Sequence, residues 1–525
     1  MSRGPGGYDK EVASGTRSLE REVKLAADMA FRLPDLRGVV GKTVRQPGQE
    51  LRTAYFDTSD FRVWQRGMSL RHRMGESSGA GIWTLKVPAP RSPSDDDGPT
   101  LDRTELSWPG GRDAVPVQAT DLLRGIVCRG ILEQVTELVT SRLRFVLHDA
   151  EGRSCAELDD DTVTVVGGRR HGLRFRQLEV ELGDGGAAIL DAVLRELRRA
   201  GAHVGDAPKL AKALGLRTGS GGGSSSDPGR KGSLRDVIGA SINNALEQLL
   251  DHDYLLRADP PRPPAHSIHQ ARVATRRLRS DLKTVGSVLD PVWLDHTRRE
   301  LEWLGGVLGS VRDADVLAGH VADDGEGVPS DAGGRAELLA RLDDQRRRAI
   351  ADLGEALTGD RYLDLLDRLH AGASAPPLAA AVTGDRRADQ RAQGVLAELV
   401  GRQWGVLRRR ESKAGRHPSD RELHRIRIGA KQLRYAAEMA APVMGKKARR
   451  TARAAEALQT VLGEHHDAVA AEQWLSAIAP TTTPAASYVA GRLAAEQHER
   501  QRRLRRQWRS VWDDLDTKNV RRWMH

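Results

Sequence analysis

Cysteine is nearly absent: the 525 residues include only Cys128 and Cys155, with no histidine cluster beside either. That scarcity excludes a disulfide framework and a cysteine-based zinc site, and a reducing compartment is expected. Long apolar runs are missing too. Nowhere do about 18 uninterrupted apolar residues occur, as a membrane span requires, and the opening MSRGPGGYDKEVASG has no apolar core for a signal peptide. The expected location is cytoplasmic. Acidic excess is also lacking, since 82 Lys and Arg stand against 72 Asp and Glu, a formal +10 with a pI near 9.8. This balance favours a polyanionic partner. Residues 1–217 hold 33 basic and 31 acidic side chains against 49 and 41 beyond them, so the polyanion surface is expected mostly in the C-terminal part.

A chain of this length is expected to divide into two or three domains. The stretch Thr218–Ser233, TGSGGGSSSDPGRKGS, has almost no side chain able to join a core and reads as a flexible linker. All five Phe lie before it, with the alternating runs SLRHR, IWTLKVP, SRLRFVL and FRQLEVEL, whose period of two indicates strands. After it, Leu and Ala recur every three or four residues, as in LRDVIGASINNALEQLL, which indicates amphipathic helices. The fold class is therefore α+β in two domains, β first and all-α second. The expected boundaries are a disordered N-terminus at 1–17, domains at 18–217 and 234–515, and a tail at 516–525. Loops are expected at Ala322–Gly334, Ala371–Asp385 and Lys413–Asp420.

In LEREVKL the alternation sends Glu20, Glu22 and Lys24 to one face of a strand and Leu19, Val23 and Leu25 to the other. Glu179 and Glu181 form a second carboxylate pair at the same period. Between them come the cationic pairs Arg71 and Arg73, then Arg142 and Arg144, with Lys86 in WTLKVP. One such pair alone would be a solvated strand face. Together, on strands whose opposite faces are apolar, they suggest a charged interior. Clustered carboxylates repel unless divalent cations sit between them, and hard oxygen donors suit Mg²⁺ or Mn²⁺. Arginine and lysine would supply the anion-binding wall.

Glu20-x-Glu22-x-Lys24, YFDT (Tyr55–Thr58), SLRHR, WTLK, RTEL, SRLRF, ELDDD and LEVEL follow one another in the order of CYTH domains, the triphosphate tunnel metalloenzymes, and roughly residues 18–215 resemble that family. The resemblance implies an eight-stranded antiparallel β-tunnel with flanking helices that binds a triphosphate with divalent metal. It implies Glu20, Glu22, Glu179 and Glu181 as metal-side, catalytic residues. Lys24, Arg71, Arg73, Lys86, Arg142 and Arg144 would be phosphate ligands. Asp159 is a further candidate metal ligand, with Asp160 and Asp161 as alternatives, while Arg103, Glu105 and Lys209 are candidates for the tunnel wall. The expected chemistry is hydrolysis of a phosphoanhydride.

The second half contains a repeat: HQARVATRRLRSDL from His269 matches HRIRIGAKQLRYAA from His424 at an offset of 155. His269, Arg272, Arg276 and Arg279 occupy the same steps as His424, Arg427, Lys431 and Arg434. At 100° per residue each set spans about 80° of a helix face. VLGSVRDA (Val307–Ala314) and VLGEHHDA (Val461–Ala468) match as well, displaced by 154. The halves are placed at about 234–370 and 386–515. Two such stripes across a pseudo-twofold would make a cationic groove for a long anion.

These paired stripes resemble the CHAD domain, a conserved-histidine helical module, over about residues 230–515. The resemblance implies two related helical bundles that bind inorganic polyphosphate through the eight stripe residues, with Arg277 and Lys283 as secondary candidates. Asp313 and Asp467 read as helix braces. His465 and His466 are open between phosphate contact and surface. Nucleic acid is a rival partner, but aromatics make up 4% of the chain and only Tyr435 interleaves with a stripe, so no platform for bases is evident. The basic run Arg500–Trp512 reads as an exposed helix end. The leading reading joins a triphosphatase to a polyphosphate-binding module. The alternatives are a nonenzymatic polyphosphate scaffold and an adenylate cyclase-type use of the tunnel.

Overall fold

The computed structural model describes residues 16–75, 79, 81–88, 101–183, 187–204, 207–216, 228–322, 332–379 and 392–524. Most of the expected N-terminal disordered segment and most of the linker lie outside these. The chain separates into two compact units, Met1–Ser224 and Ser225–His525.

The first unit is built on ten strands: β1 (Thr16–Ala27), β2 (Lys42–Arg45), β3 (Gln49–Asp57), β4 (Ser69–Met74), β5 (Ile82–Pro88), β6 (Leu101–Pro109), β7 (Glu133–His148), β8 (Ser154–Gly167), β9 (Arg174–Leu182) and β10 (His203–Val204). Eight of them form a circuit of antiparallel pairings, β1-β6-β5-β4-β3-β7-β8-β9 and back to β1. The return is offset, because β1 takes β6 along Thr16–Glu22 and β9 along Glu22–Ala27. The two short strands are additions: β2 pairs with β7, and β10 extends the end of β1.

Alternation decides what each face does. Val23, Leu25, Leu158, Leu178 and Val180 face outward and are fully buried against Leu190, Val193, Leu194 and Leu197, which come from a covering helix, and against Phe31, Leu36 and Val40. Along the chain the helices of this unit are α1 (Arg62–Gln65), α2 (Val117–Val127), α3 (Ala187–Arg199), which is that cover, and α4 (Lys209–Leu214). With the apolar face covered from outside, the charged face of the same strands is left lining the interior.

The second unit is all helical: α5 (Leu234–Ala258), α6 (Ala265–Thr284), α7 (Pro291–Ala322), α8 (Ala332–Thr358), α9 (Asp360–Ser374), α10 (Ala392–Ala414), α11 (Asp420–Met444), α12 (Lys446–Ile478), α13 (Pro484–Leu515) and α14 (Lys518–Arg521). Capping boxes open α5 (Ser233 with Asp236) and α11 (Ser419 with Glu422). The halves join through an apolar cluster in which Val321, Leu338 and Leu342 meet Leu475, Val489 and Leu493. Gly334, expected at a loop margin, lies inside α8, where the neighbouring chain comes so close that a Cβ would stand 2.6 Å from the Ala485 carbonyl oxygen. α9 likewise carries helix to Ser374, into the segment expected as a loop from Ala371. The last residues are packed: Trp523 and Met524 are buried, and the Trp523 indole donates to Thr451 at 3.0 Å.

Candidate functional site

Register assembles the interior of the first unit. Across β1, β9 and β8, Glu22 stands opposite Glu181 and Glu181 opposite Glu157; one step along, Lys24 faces Glu179 and Glu179 faces Asp159. β7 adds Arg144 opposite Asp159 and Arg142 opposite Asp161. The Lys24 ammonium contacts the Glu22 carboxylate and lies 3.2 Å from Glu179. Arg142 donates two bonds to Asp161, at 2.8 and 2.7 Å, and lies 2.5 Å from Asp159. Lys209, at the start of α4, reaches Asp161 at 2.6 Å and Glu179 at 2.8 Å. On the facing strands, Lys86 contacts Glu105 and Arg71 lies 3.6 Å from it.

These charges hold one another ionised inside the sheet. Burial would neutralise Glu179, but Lys209, Lys24 and Arg142 hold its carboxyl well below the usual range. Asp161, fully buried, is likewise lowered against desolvation by Lys209 and Arg142. Arg142 is held charged above its ordinary value, because Asp161, Asp159 and Glu179 outweigh its burial.

A cavity with about 450 Å³ of open space is lined by Lys24, Arg71, Lys86, Arg103, Lys209 and the carboxylates of Glu22 and Glu179. The structure therefore brings together most of the residues singled out in this part of the sequence. Arg73 is buried but donates to Thr53 at 3.1 Å, away from the cavity lining. Arg144 is engaged by Asp159 and Glu157, and Glu181 is exposed at the rim. The Glu20 side chain lies outside the described residues. Of the three consecutive aspartates, Asp159 and Asp161 face inward, whereas Asp160 points to the opposite face and pairs with Arg176 at 2.6 Å. Among the described residues no three His, Cys, Asp or Glu side chains form a ready metal cluster. The donor set is nevertheless all hard oxygen, with Glu22, Glu181 and Glu157 in adjacent register and Glu179 one step away, and this suits Mg²⁺ or Mn²⁺.

Tyr55 and Trp64 also line this cavity and were not singled out as site residues in the sequence. Asp57 of the YFDT motif explains Trp64's place. Its buried carboxylate accepts from the Val63 and Trp64 amides, both at 2.9 Å, and so fixes the start of α1.

In the second unit the two stripes converge. A cavity with about 1550 Å³ of open space is lined by His269, Arg272, Arg276 and Arg279 of α6, by Arg427 and Lys431 of α11, and by residues of α7 and α12. α6 meets α11 directly, Arg276 donating to the Tyr435 hydroxyl at 3.2 Å. His424 sits just outside the lining, its Nδ1 3.3 Å from Nδ1 of His466, which does line it. Arg434 is not in the lining, because Glu438 at 2.7 Å and Glu456 at 3.0 Å hold it. His465 is buried, 3.4 Å from Asp420. Arg312 of α7 lines the groove and occupies the position in VLGSVRDA that His466 has in VLGEHHDA; only the repeat alignment could have marked it. The basic run Arg500–Trp512 is part of packed α13, with Trp508 and Trp512 buried and Arg509 paired with Glu411 at 2.5 Å.

The groove is poor in compensating charge. Asp313 pairs with Arg272 at 3.1 Å and Asp467 approaches Arg427 at 3.9 Å. Burial, then repulsion from Arg427, Arg276 and Arg272, pushes Lys431 down to about 6. Burial and then Arg427 and His424 lower His466 to about 4. The Arg427 Nε is buried without a hydrogen-bond acceptor. No helix among the described residues is long and apolar enough to cross a membrane.

Residues 18–209 match the CYTH domain family and residues 240–476 match the CHAD domain family. Two relatives from Mycobacterium tuberculosis, the uncharacterized proteins MT2285 and Rv2226, are each 30% identical over 535 residues, covering 96% of this chain and 98% of theirs. Among solved structures, the CHAD domain from the plant Ricinus communis is 26% identical with a TM-score of 0.44, covering 55% of this chain and 93% of its own. PptA from Streptomyces chartreusis is 22% identical with a TM-score of 0.43, covering 54% and 99%. The chain thus belongs to the CYTH family through its N-terminal unit and to the CHAD family through its C-terminal unit.

Proposed function

We propose that the N-terminal unit hydrolyses inorganic triphosphate or a related triphosphate with the help of Mg²⁺ or Mn²⁺, and that the C-terminal groove binds inorganic polyphosphate. The observation that carries the first half is the meeting of five cationic side chains with Glu22 and Glu179 around one interior cavity. Lys24, Arg71, Lys86, Arg103 and Lys209 hold the non-bridging phosphate oxygens and spread the charge of the transferred group. Arg142, locked between Asp161 and Asp159, keeps Glu179 ionised and in place. Glu20, Glu22, Glu179 and Glu181 would hold the divalent ion, with Asp159 as a further ligand. When bound, that ion would neutralise phosphate oxygens and orient water. Water adds to the terminal phosphorus, the bridging P–O bond breaks, and phosphate and pyrophosphate leave with a proton released to solvent.

Phosphate release from inorganic triphosphate, measured with Mg²⁺, Mn²⁺ or EDTA and with the Glu20→Gln/Glu22→Gln variant, tests this reading. Release that depends on metal and is lost in the variant supports it. No release under any metal leaves a nonenzymatic polyphosphate scaffold. The aromatic faces of Tyr55 and Trp64 in the same cavity favour a second reading, an organic triphosphate such as ATP. Cyclic AMP formation from ATP would identify cyclase-type use of the site.

For the groove, the supporting observation is a set of facing cations with few carboxylates among them, a field that a chain of phosphates would relieve. Competition by duplex DNA at matched phosphate and salt tests selectivity; equal competition would overturn the polyphosphate reading.

A further inference from the structure

In the interior of the first unit, two lysines stand on the carboxylates that suit a divalent ion. Glu22 and Lys24 both point inward from β1, and register sets Lys24 opposite Glu179 of β9. The Lys24 ammonium contacts the Glu22 carboxylate and lies 3.2 Å from Glu179. Lys209, brought in by α4, spans the next gap, 2.8 Å from Glu179 and 2.6 Å from Asp161. Both lysines are buried, and both line the cavity together with Glu22 and Glu179.

The other cations of this interior are placed differently. Lys86 contacts Glu105, from which Arg71 lies 3.6 Å away, and Arg142 is fixed by two bonds to Asp161. Arg103 lines the cavity but pairs with no carboxylate among the described residues. Only Lys24 and Lys209, among the cavity-lining cations, are paired with Glu22 or Glu179.

This placement decides which ligands the cavity accepts. A divalent ion arriving alone meets carboxylates already neutralised, and taking them would leave buried ammonium groups without partners. A triphosphate arriving alone would draw the lysines to its oxygens and leave Glu22 and Glu179 buried without counter-charge. Arriving together, the two ligands satisfy every group: phosphate takes the ammonium groups, and the metal takes the carboxylates.

We propose that Lys24 and Lys209 are exchangeable counter-cations, which occupy Glu22 and Glu179 until a triphosphate draws them away, so that the divalent ion and the triphosphate bind as a coupled pair. This rests on the triphosphate reading of the cavity and adds to it a barrier against metal alone. By reciprocity, the metal raises triphosphate affinity by the same factor that triphosphate raises metal affinity.

Triphosphate chelates divalent ions by itself, so the decisive measurement is made without it. Free Mn²⁺ is titrated with the full chain and followed by its electron paramagnetic resonance signal. Lys209→Met removes one ammonium while Arg142 still holds Asp161, and Mn²⁺ affinity is expected to rise at least about fivefold. Arg103→Gln removes an equal charge from the same lining, and is expected to change Mn²⁺ affinity less than about twofold. No rise in Lys209→Met, or an equal rise in Arg103→Gln, overturns the exchange. Should Lys209→Met melt early, Lys24→Met, at the lysine shared by Glu22 and Glu179, repeats the test with the same expected rise, and its absence counts against the proposal. A second arm adds an imido-bridged triphosphate analogue, with its own Mn²⁺ binding measured apart. Failure of the unaltered protein to bind Mn²⁺ even with the analogue would overturn the underlying metal and triphosphate reading as well, whereas binding with it and no rise in either lysine variant removes the exchange alone.

Discussion

Replacing Lys431 by arginine keeps the positive charge in the groove while removing its titration. Within the groove Lys431 is pushed down to about 6 by burial and by Arg427, Arg276 and Arg272, with Asp467 the acid facing it. A bound polyphosphate would return the ammonium towards the ordinary lysine value of about 10.4. The sign follows from linkage. Between these two values the complex holds more protons than the free protein, so binding takes up a proton and affinity falls as pH rises. At pH 6 the free lysine is half protonated, and at pH 8 about one in a hundred is. The complex stays protonated at both, so affinity is expected to be about 50-fold higher at pH 6 than at pH 8. Arginine stays charged throughout, so in Lys431→Arg the ratio should shrink to the few-fold change from the lowered histidines His269, His424 and His466. Titration calorimetry with long-chain polyphosphate in two buffers of different ionisation enthalpy reads the proton uptake directly. An unaltered protein that takes up no proton at pH 7, or a variant with the same pH slope, would refute the reasoning.

Other expectations follow from single contacts. Glu179→Gln/Glu181→Gln should reduce metal-dependent phosphate release at least about a hundredfold without unfolding the sheet, as a phosphate-release assay beside a melting curve would show; unchanged turnover would remove these carboxylates from the site. Asp161→Ala leaves Arg142 and Lys209 facing each other inside the sheet and should cost about 3–5 kcal/mol, read by denaturant unfolding of the N-terminal unit. Gly334→Ala places a methyl 2.6 Å from the Ala485 carbonyl and should destabilise the helical unit by about 1–3 kcal/mol, with no change in triphosphate turnover.

How much of this was legible in the sequence depended on the range of the interaction. The inward faces of β1, β7 and β9 could be read from a period of two, because alternation is local and the apolar partners Val23, Leu25, Leu178 and Val180 mark the other face. Three consecutive aspartates cannot be sorted that way until the strand's neighbours are known. The pairing of Arg144 with Asp159, and of Arg142 with Asp161, sends Asp160 outward to Arg176. Lys209 was ambiguous for a similar reason. Its helix α4 has only six residues, and the packing of Leu210 and Ala213 on Tyr55 and Leu138, distant in sequence, aims the ammonium at Glu179.

In the helical unit the repeat displayed the eight-residue stripe as if its members were equivalent, and the fold separates them. A helix face records direction, while a charge becomes available only by its surroundings. Arg279 and Arg434 share a step in the stripe, but Glu438 stands one turn after Arg434 where Lys283 stands one turn after Arg279. Both stripe ends pair with a carboxylate, Arg434 with Glu456 and Arg279 with Glu302, but Glu438 gives Arg434 a second one, and it is Arg279 that stays in the groove lining. Duplication supplied the paired stripes, and the departure from the duplicate pattern at Arg312, where the second half has His466, gives the groove unequal walls. Positions where the halves disagree are therefore where substitution should change which anions the groove prefers, whereas matched positions such as Arg272 and Arg427 should change how tightly it holds any of them.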